Sequence, residues 1–229
     1  MLKIMRIMGR ALYLLTFMRY DYIHLMDFKT SFVMALSKQA KTLSKAQVEA
    51  VLSFLNSTRN PERNRLIFLL SVKAGLRAKE IASLTWDMVT DAEGNLGEAI
   101  HLTDIASKGR SGRIIPMNKD LRNALANVKD IVDKRQRSKQ FVINTERADK
   151  TSSYAVVNLF SGWYRALGFT GASSHSGRRT FITNAARRIS TVGGSLRDVQ
   201  LLAGHSALGT TQRYIEADGM AQRRVVDLV

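Results

Sequence analysis

The sequence contains no cysteine, only two prolines and comparatively few acidic residues. Without cysteine the chain has no disulfide framework, no thiolate metal site, no iron–sulfur cluster and no catalytic thiol. The low proline content excludes a proline-rich linker. Across 229 residues, 35 Lys+Arg outnumber 19 Asp+Glu, which gives a net charge of +16. A charge of this size predicts a polyanionic partner, either nucleic acid or an anionic membrane surface.

Long apolar runs are also missing. Charged side chains interrupt the most apolar stretch, residues 1–34, although a spanning helix needs roughly 20 consecutive apolar residues. The stretch has no small-residue cleavage site, which argues against a signal peptide. An amphipathic helix over residues 2–18 that lies on a membrane surface is an open alternative. We also hypothesise that translation starts at Met34, which the intact mass of the natively expressed protein would test.

Helix start and stop signals predict a mainly helical chain. Ser44 and Gln47 form a capping box before an apolar-periodic run, which indicates a helix over about 45–56. Asn60 and Pro61 begin a second helix, and Gly75 ends it. A short helix over 77–84 follows the glycine. Further helices are predicted at about 119–137, 154–167, 176–190, 196–203, 208–216 and 219–227.

Between the early and late helices the pattern is typical of β-structure. Ala99–Leu102 and Arg113–Met117 are short and β-rich, and a glycine-bearing connection separates them. They predict an antiparallel hairpin with Lys108 near its turn. Phe141–Ile143 is predicted as a third strand. The 45% hydrophobic content is sufficient for a packed core.

Five short motifs follow one another along the chain. Gly75-Leu-Arg77 precedes Glu80, Lys108 lies in the hairpin, and His175-Ser-Gly-Arg178 opens a helix. Leu202-Ala-Gly-His205 comes next, with Tyr214 nine residues after the histidine. Each motif alone has an ordinary structural explanation. For example, Glu80 one helical turn after Arg77 is typical of a surface ion pair that contributes a few tenths of a kcal/mol.

In this order the motifs resemble those of the tyrosine recombinase (phage integrase) family over roughly residues 42–220. The resemblance implies a mainly α fold with a small antiparallel β-sheet, the DNA breaking-rejoining fold. It also implies site-specific DNA recombination or integration through a covalent 3′-phosphotyrosine, with no cofactor and no metal. The catalytic residues it implies are Arg77, Lys108, His175, Arg178, His205 and Tyr214.

The residue types suit the chemistry. Phosphodiester cleavage without a metal needs fixed cations on the nonbridging oxygens, an in-line nucleophile and a proton for the leaving 5′ oxygen. Guanidinium groups match phosphate oxygens bidentately and stay charged, which suits Arg77 and Arg178. The resemblance implies the remaining roles: proton transfer by His175, protonation of the leaving oxygen by Lys108, a hydrogen bond to the phosphate from His205, and attack on phosphorus by Tyr214.

Basic residues outside this set are predicted to contact DNA phosphates, which fixes position but carries little sequence information. The alternative for each is a solvated surface charge. These residues are Arg110, Arg113, Arg179 and Arg213, together with Arg187 and Arg188.

We assign residues 1–41 to an N-terminal extension and residues 42–229 to a catalytic domain. The family's N-terminal core-binding domain is expected to be absent, so an accessory protein that supplies its function is one open explanation. The expected partner is double-stranded DNA, bound by a homo-tetramer in the cytoplasm and not at a membrane. Alternatives are a DNA-binding regulatory protein, a truncated recombinase remnant, and an enzyme that relaxes supercoiled DNA as type IB topoisomerases do.

Overall fold

The computed structural model describes residues 40–107, 111–134, 140–145, 148–215, 223 and 225–227. These residues form α-helices and one antiparallel hairpin, so the predicted fold class is confirmed. Two 3-10 turns, Trp86–Met88 and Ile189–Val192, join neighbouring elements. The helices are Lys45–Leu55 (α1), Pro61–Ala74 (α2), Ala78–Ala82 (α3), Lys119–Lys134 (α4), Ser153–Ala166 (α5), Ser176–Arg188 (α6), Leu196–Ala203 (α7) and Leu208–Gln212 (α8).

The predicted helix signals operate at the first two helices. The Ser44 hydroxyl accepts from the Gln47 N–H at 3.2 Å, and the Gln47 side chain accepts from the Ser44 N–H at 2.9 Å. This reciprocal capping box starts α1. Pro61 occupies the first turn of α2, and Gly75 ends it in the left-handed conformation at φ 66°. Local sequence therefore determines these boundaries.

Helix α2 runs through the centre of the core. Its residues Leu66–Leu70 are almost completely buried, because α4 and α6 both pack against it. Helix α5 contributes Phe160, whose ring meets the Trp163 ring edge-on at a centroid distance of 5.3 Å. A smaller apolar cluster joins α6 to α7 through Ile182, Val199 and Ala203.

The hairpin pairs Ala99–Leu102 (β1) with Arg113–Pro116 (β2), as predicted. The register places Ile100 opposite Ile115, and both face the core, since alternate residues of a strand point to opposite faces. The third-strand prediction is wrong. Phe141 forms only an isolated bridge with Thr85, because the Val142 N–H bonds to the Leu84 carbonyl just after α3 and no ladder extends further.

Several predicted helix ends differ from the observed ones. Helix α8 ends at Gln212 and not at residue 216, and α6 gives way at Ile189 to a 3-10 turn. Most of the helix predicted over 219–227 lies outside the described residues, as does the end of the helix predicted over 119–137. Among the described residues, no helix is sufficiently long and apolar to span a membrane.

Candidate active site

Arg77 lies at the N-terminus of α3, directly after the left-handed turn at Gly75. Its guanidinium Nη1 donates to Glu80 Oε1 at 2.7 Å, and its backbone N–H donates to Glu80 Oε2 at 2.9 Å. The Glu80 side chain is completely buried, whereas that of Arg77 is 25% exposed. The pair is therefore a fixed internal support and not the surface ion pair typical of this spacing.

Glu80 also binds a second arginine, Arg113 on β2. Arg113 Nη2 lies 3.0 Å from Glu80 Oε2, and its Nη1 lies 3.2 Å from Oε1. Burial raises the pKa of Glu80, but the bonds and charges of Arg113 and Arg77 outweigh burial and hold it below the ordinary value of 4.5. The carboxylate thus stays ionised between two guanidinium groups.

Arg113, predicted to contact a DNA phosphate, faces the interior of the site. Its side chain is only 5% exposed. Besides binding Glu80, its Nε donates to the Leu202 carbonyl at 2.9 Å. The guanidinium faces inward, where two of its N–H groups bind the buried carboxylate of Glu80.

Arg178, in the first turn of α6, is buried at 4% exposure. It donates at 2.6 Å to the Gly75 carbonyl and at 2.6 Å to the Ala203 carbonyl, and its Nη2 lies 3.1 Å from His205 Nε2. Burial, and then repulsion from Arg77, lowers its pKa to about 10, so it remains cationic at neutral pH. A phosphate near Arg178 would relieve this repulsion.

His205 follows α7, which ends at the left-handed Gly204. Because a guanidinium can only donate, the contact with Arg178 makes His205 Nε2 the acceptor. The ring proton therefore lies on Nδ1, which is 2.9 Å from Thr211 Oγ1. The predicted bond from His205 to a phosphate requires the ring to exchange this arrangement for one that donates from Nε2.

We predict that His205 makes stability depend on pH. Burial, and then the charge of Arg178, lowers its pKa from 6.5 to about 4. Between these values the unfolded chain binds a proton that the folded chain excludes, so the free energy of unfolding decreases as the pH falls from 6.5 towards 4. Urea unfolding at pH 7 and pH 5 should show a smaller decrease for His205→Gln than for wild type. His101→Gln, at an exposed strand position, is the control and should retain the wild-type decrease; a decrease in His205→Gln equal to that of the control would contradict the prediction.

Tyr214 follows α8 and is half-buried beside His205. The two rings stack with centroids 5.6 Å apart and an interplanar angle of 21°. The Arg179 guanidinium lies over the Tyr214 ring, 5.5 Å from its centroid. The backbone carbonyl of Tyr214 lies 3.4 Å from Thr183 Oγ1 on α6. Packing on α6 thereby holds the phenol next to the arginines.

The structure brings Arg77, Arg178, His205 and Tyr214 together. His175 is exposed at the start of α6, three residues before Arg178, with its Nδ1 3.4 Å from Ser174 Oγ. Lys108 and Arg110 lie outside the described residues.

The remaining predicted phosphate contacts have different surroundings. Arg213 is exposed next to Tyr214, whereas Arg179 is partly buried over the Tyr214 ring. Arg187 and Arg188 lie at the far end of α6, where they line a groove of about 880 Å³.

A cavity of about 840 Å³ opens at the site, and its lining includes Arg77, Arg113, His205, Ser206 and Thr210. Near this cavity Arg77 and Arg113 bind the carboxylate of Glu80, and the guanidinium of Arg178 lies close enough to interact electrostatically with all three. Three cations and one carboxylate leave a positive excess suited to an anion. Within the described ranges, no group of three or more histidine and carboxylate side chains is placed to hold a metal ion.

The model of the phage integrase family matches residues 41–220. The chain belongs to this family. Among curated proteins it is 32% identical over 177 residues to the tyrosine recombinase XerA of Thermococcus onnurineus (strain NA1), which covers 76% of this chain and 57% of that protein. It is also 28% identical over 186 residues to the tyrosine recombinase XerD of Vibrio cholerae serotype O1 (strain ATCC 39315 / El Tor Inaba N16961). That alignment covers 76% of this chain and 56% of the XerD protein. This family member thus spans little more than half the length of these relatives.

Solved structures share the fold. A XerA recombinase aligns with a TM-score of 0.65 at 21% identity over 82% of this chain and 64% of the other. The Tn1549 transposon integrase, in complex with a circular intermediate DNA, aligns with a TM-score of 0.65 at 19% identity. The alignment covers 84% of this chain and 67% of the integrase chain. At these identities the likeness establishes the integrase fold alone.

Sequence reasoning assigned no site role to three residues that support this integrase-family site. Glu80 holds Arg77, Thr211 accepts from His205, and buried Gln200 bonds to the His205 carbonyl at 2.8 Å. Gln200 gives a weak signal, as a polar residue on the inward face of an amphipathic helix.

We predict that Gly177 is required to seat Arg178. A Cβ on Gly177 would lie 2.4 Å from Ser71 Oγ, where α6 crosses α2. Gly177→Ala should therefore cost about 1–3 kcal/mol of unfolding free energy, measured by urea denaturation. Gly162→Ala is a matched control, because nothing lies within 4 Å of that helical position. Alanine there should be neutral or stabilising by up to about 1 kcal/mol. Equal effects of the two substitutions would contradict the prediction.

Proposed function

We propose that this chain cleaves and rejoins DNA strands in site-specific recombination or integration, with Tyr214 as the nucleophile. The supporting observation is the continuous line of contacts from the Arg178 guanidinium through the His205 ring to the Tyr214 ring. Buried cations on one side of a half-exposed phenol suit a reaction in which a phosphate oxygen gains negative charge.

In the proposed cleavage, Tyr214 Oη attacks the scissile phosphorus and the bond from phosphorus to the 5′ oxygen breaks. The phenol proton leaves to a base, for which His175 is the candidate. The departing 5′ oxygen takes a proton from Lys108. Arg77 and Arg178 bind the nonbridging oxygens throughout. The 3′-phosphotyrosine conserves the energy of the broken bond, so a 5′ hydroxyl rejoins the strand without an external energy source.

The proposed partner is double-stranded DNA, which a net charge of +16 favours. Solved relatives of the same fold include a lambda integrase dimer on a core site, with a TM-score of 0.61. A tetramer on two duplexes is part of our proposal, and residues 42–229 are proposed to form its catalytic domain.

A pool of nicked duplexes with a randomised central segment tests the proposal even though the target sequence is unknown. Cleavage near the nick releases a short strand, which prevents religation and traps the protein on DNA. Wild type should yield adducts that survive denaturation, and the bound sequences should share a common site. If no adduct forms on the pool or on supercoiled plasmid, the proposed chemistry is wrong. Relaxation of plasmid without strand transfer would support the topoisomerase alternative instead.

A further inference from the structure

Arg113 occupies a junction between three elements of the candidate site. Its backbone belongs to β2, its guanidinium binds Glu80 on α3, and its Nε bonds to the Leu202 carbonyl near the end of α7. Next along α7, the Ala203 carbonyl accepts from Arg178, and His205 follows two residues later. One side chain thus connects the supports of Arg77, Arg178 and His205.

Close packing keeps the Arg113 side chain in this place. A Cβ on Gly204 would lie 2.9 Å from Arg113 Nη1 and 3.0 Å from its Cδ. Gly204 also adopts φ 61°, which a residue with a side chain rarely tolerates. Because residue 204 is glycine, the turn before His205 leaves the space that the Arg113 side chain occupies.

A direct phosphate contact by Arg113 would compete with its ion pair to Glu80, whereas the groups to which Arg178 donates are two backbone carbonyls and His205. Three of its N–H groups already point to two Glu80 oxygens and one carbonyl. To bind DNA it would have to leave Glu80, whose buried carboxylate would keep only Arg77. Breaking one side of a buried charge network is costly, because the remaining charge loses its compensation.

We propose that Arg113 is a positioning residue that acts through Glu80 and the Leu202–His205 segment to hold Arg77 and His205 in the geometry for strand cleavage. This proposal rests on the proposed function above. Lysine cannot replace the arginine, since an ammonium is a point charge without the planar fork that spans a carboxylate and a carbonyl together.

The experiment compares Arg113→Lys and Arg113→Met with wild type in two measurements. The first is the single-turnover rate of adduct formation at saturating DNA. The second is DNA affinity as a function of salt. A displacement of about 1 Å in a catalytic group lowers the rate about 100-fold, so we expect losses of that order in both variants. Affinity and its salt dependence should remain unchanged. Arg122→Met, a distant arginine on α4 that bonds to the Leu96 carbonyl, should behave as wild type.

A phosphate contact would give a different result. Losing one such contact reduces the slope of log affinity against log salt by about 0.9. A reduced slope with an unchanged rate at saturation would overturn the proposal, as would wild-type rates in both variants.

A double-mutant cycle tests the contact independently of activity. Glu80→Gln, Arg113→Lys and the double variant should show coupling of about tenfold or more in the unfolding equilibrium. Arg113→Lys keeps the charge and is the variant better suited to folding. Additive effects would overturn the positioning role even if wild type forms adducts. Coupling in a protein that forms no adduct would instead locate the failure in the proposed function.

Discussion

Tyr214→Phe should abolish the covalent DNA adduct while leaving DNA binding intact. The substitution removes only the phenolic oxygen, so the ring retains its stacking on His205 at 5.6 Å and its contact with Arg179 at 5.5 Å. The fold around α6 is therefore unaffected. Removing the nucleophile of a covalent mechanism leaves no alternative route, so adduct formation should fall by at least about 10⁴-fold.

The measurement is adduct yield on the nicked substrate after denaturation, together with DNA affinity by a mobility assay. Tyr154→Phe is the matched control, because Tyr154 is 72% exposed on α5 and the substitution makes the same chemical change away from the site. It should give wild-type yields. Equal adduct from Tyr214→Phe and wild type would show that another residue attacks the phosphate.

Among the substitutions considered, Glu80→Gln should cause the largest decrease in the free energy of unfolding. The Glu80 carboxylate is completely buried and receives bonds from Arg77 and Arg113. A neutral amide of the same size leaves two guanidinium groups without their counterion and directs an NH₂ group at donors. Removing one partner of a buried ionic network costs about 3–5 kcal/mol. Adduct formation should fall as well, because Arg77 loses its support.

Urea denaturation at pH 7 measures this loss. Glu49→Gln is the control, since Glu49 forms an exposed pair with Lys45 at 3.9 Å and such pairs contribute about 0–1 kcal/mol. The pKa of Glu80 lies below 4.5 when folded, so its contribution is present above that value and is lost as the pH falls through the folded pKa. Stability equal to that of Glu49→Gln would mean that the two arginines do not depend on this carboxylate.

The parts of the fold that local chemistry specifies could be predicted. The capping box at Ser44, the helix stop at Gly75 and the pairing of β1 with β2 depend on residues close together in the chain. The third-strand prediction failed at Phe141, because β propensity does not reveal whether a neighbouring strand is available.

In the candidate site, too, some residues could be predicted from the sequence and others only from the fold. The order of motifs indicated Arg77, Arg178, His205 and Tyr214, and the family match agrees with the resemblance on which they were chosen. The sequence alone treated Arg113 and Arg213 alike, as basic residues for phosphate contact. Nothing in their immediate neighbours distinguishes an arginine that is 5% exposed from one at the surface.

By itself, the sequence determined which residue types are present, where most helices begin, and a positive charge that calls for an anionic partner. Only the tertiary structure decided which cations bind the buried carboxylate of Glu80, namely Arg77 and Arg113. The physical reason is that a buried carboxylate binds whichever guanidinium groups the fold brings within about 3 Å, and Arg113 reaches Glu80 across 33 positions of the chain.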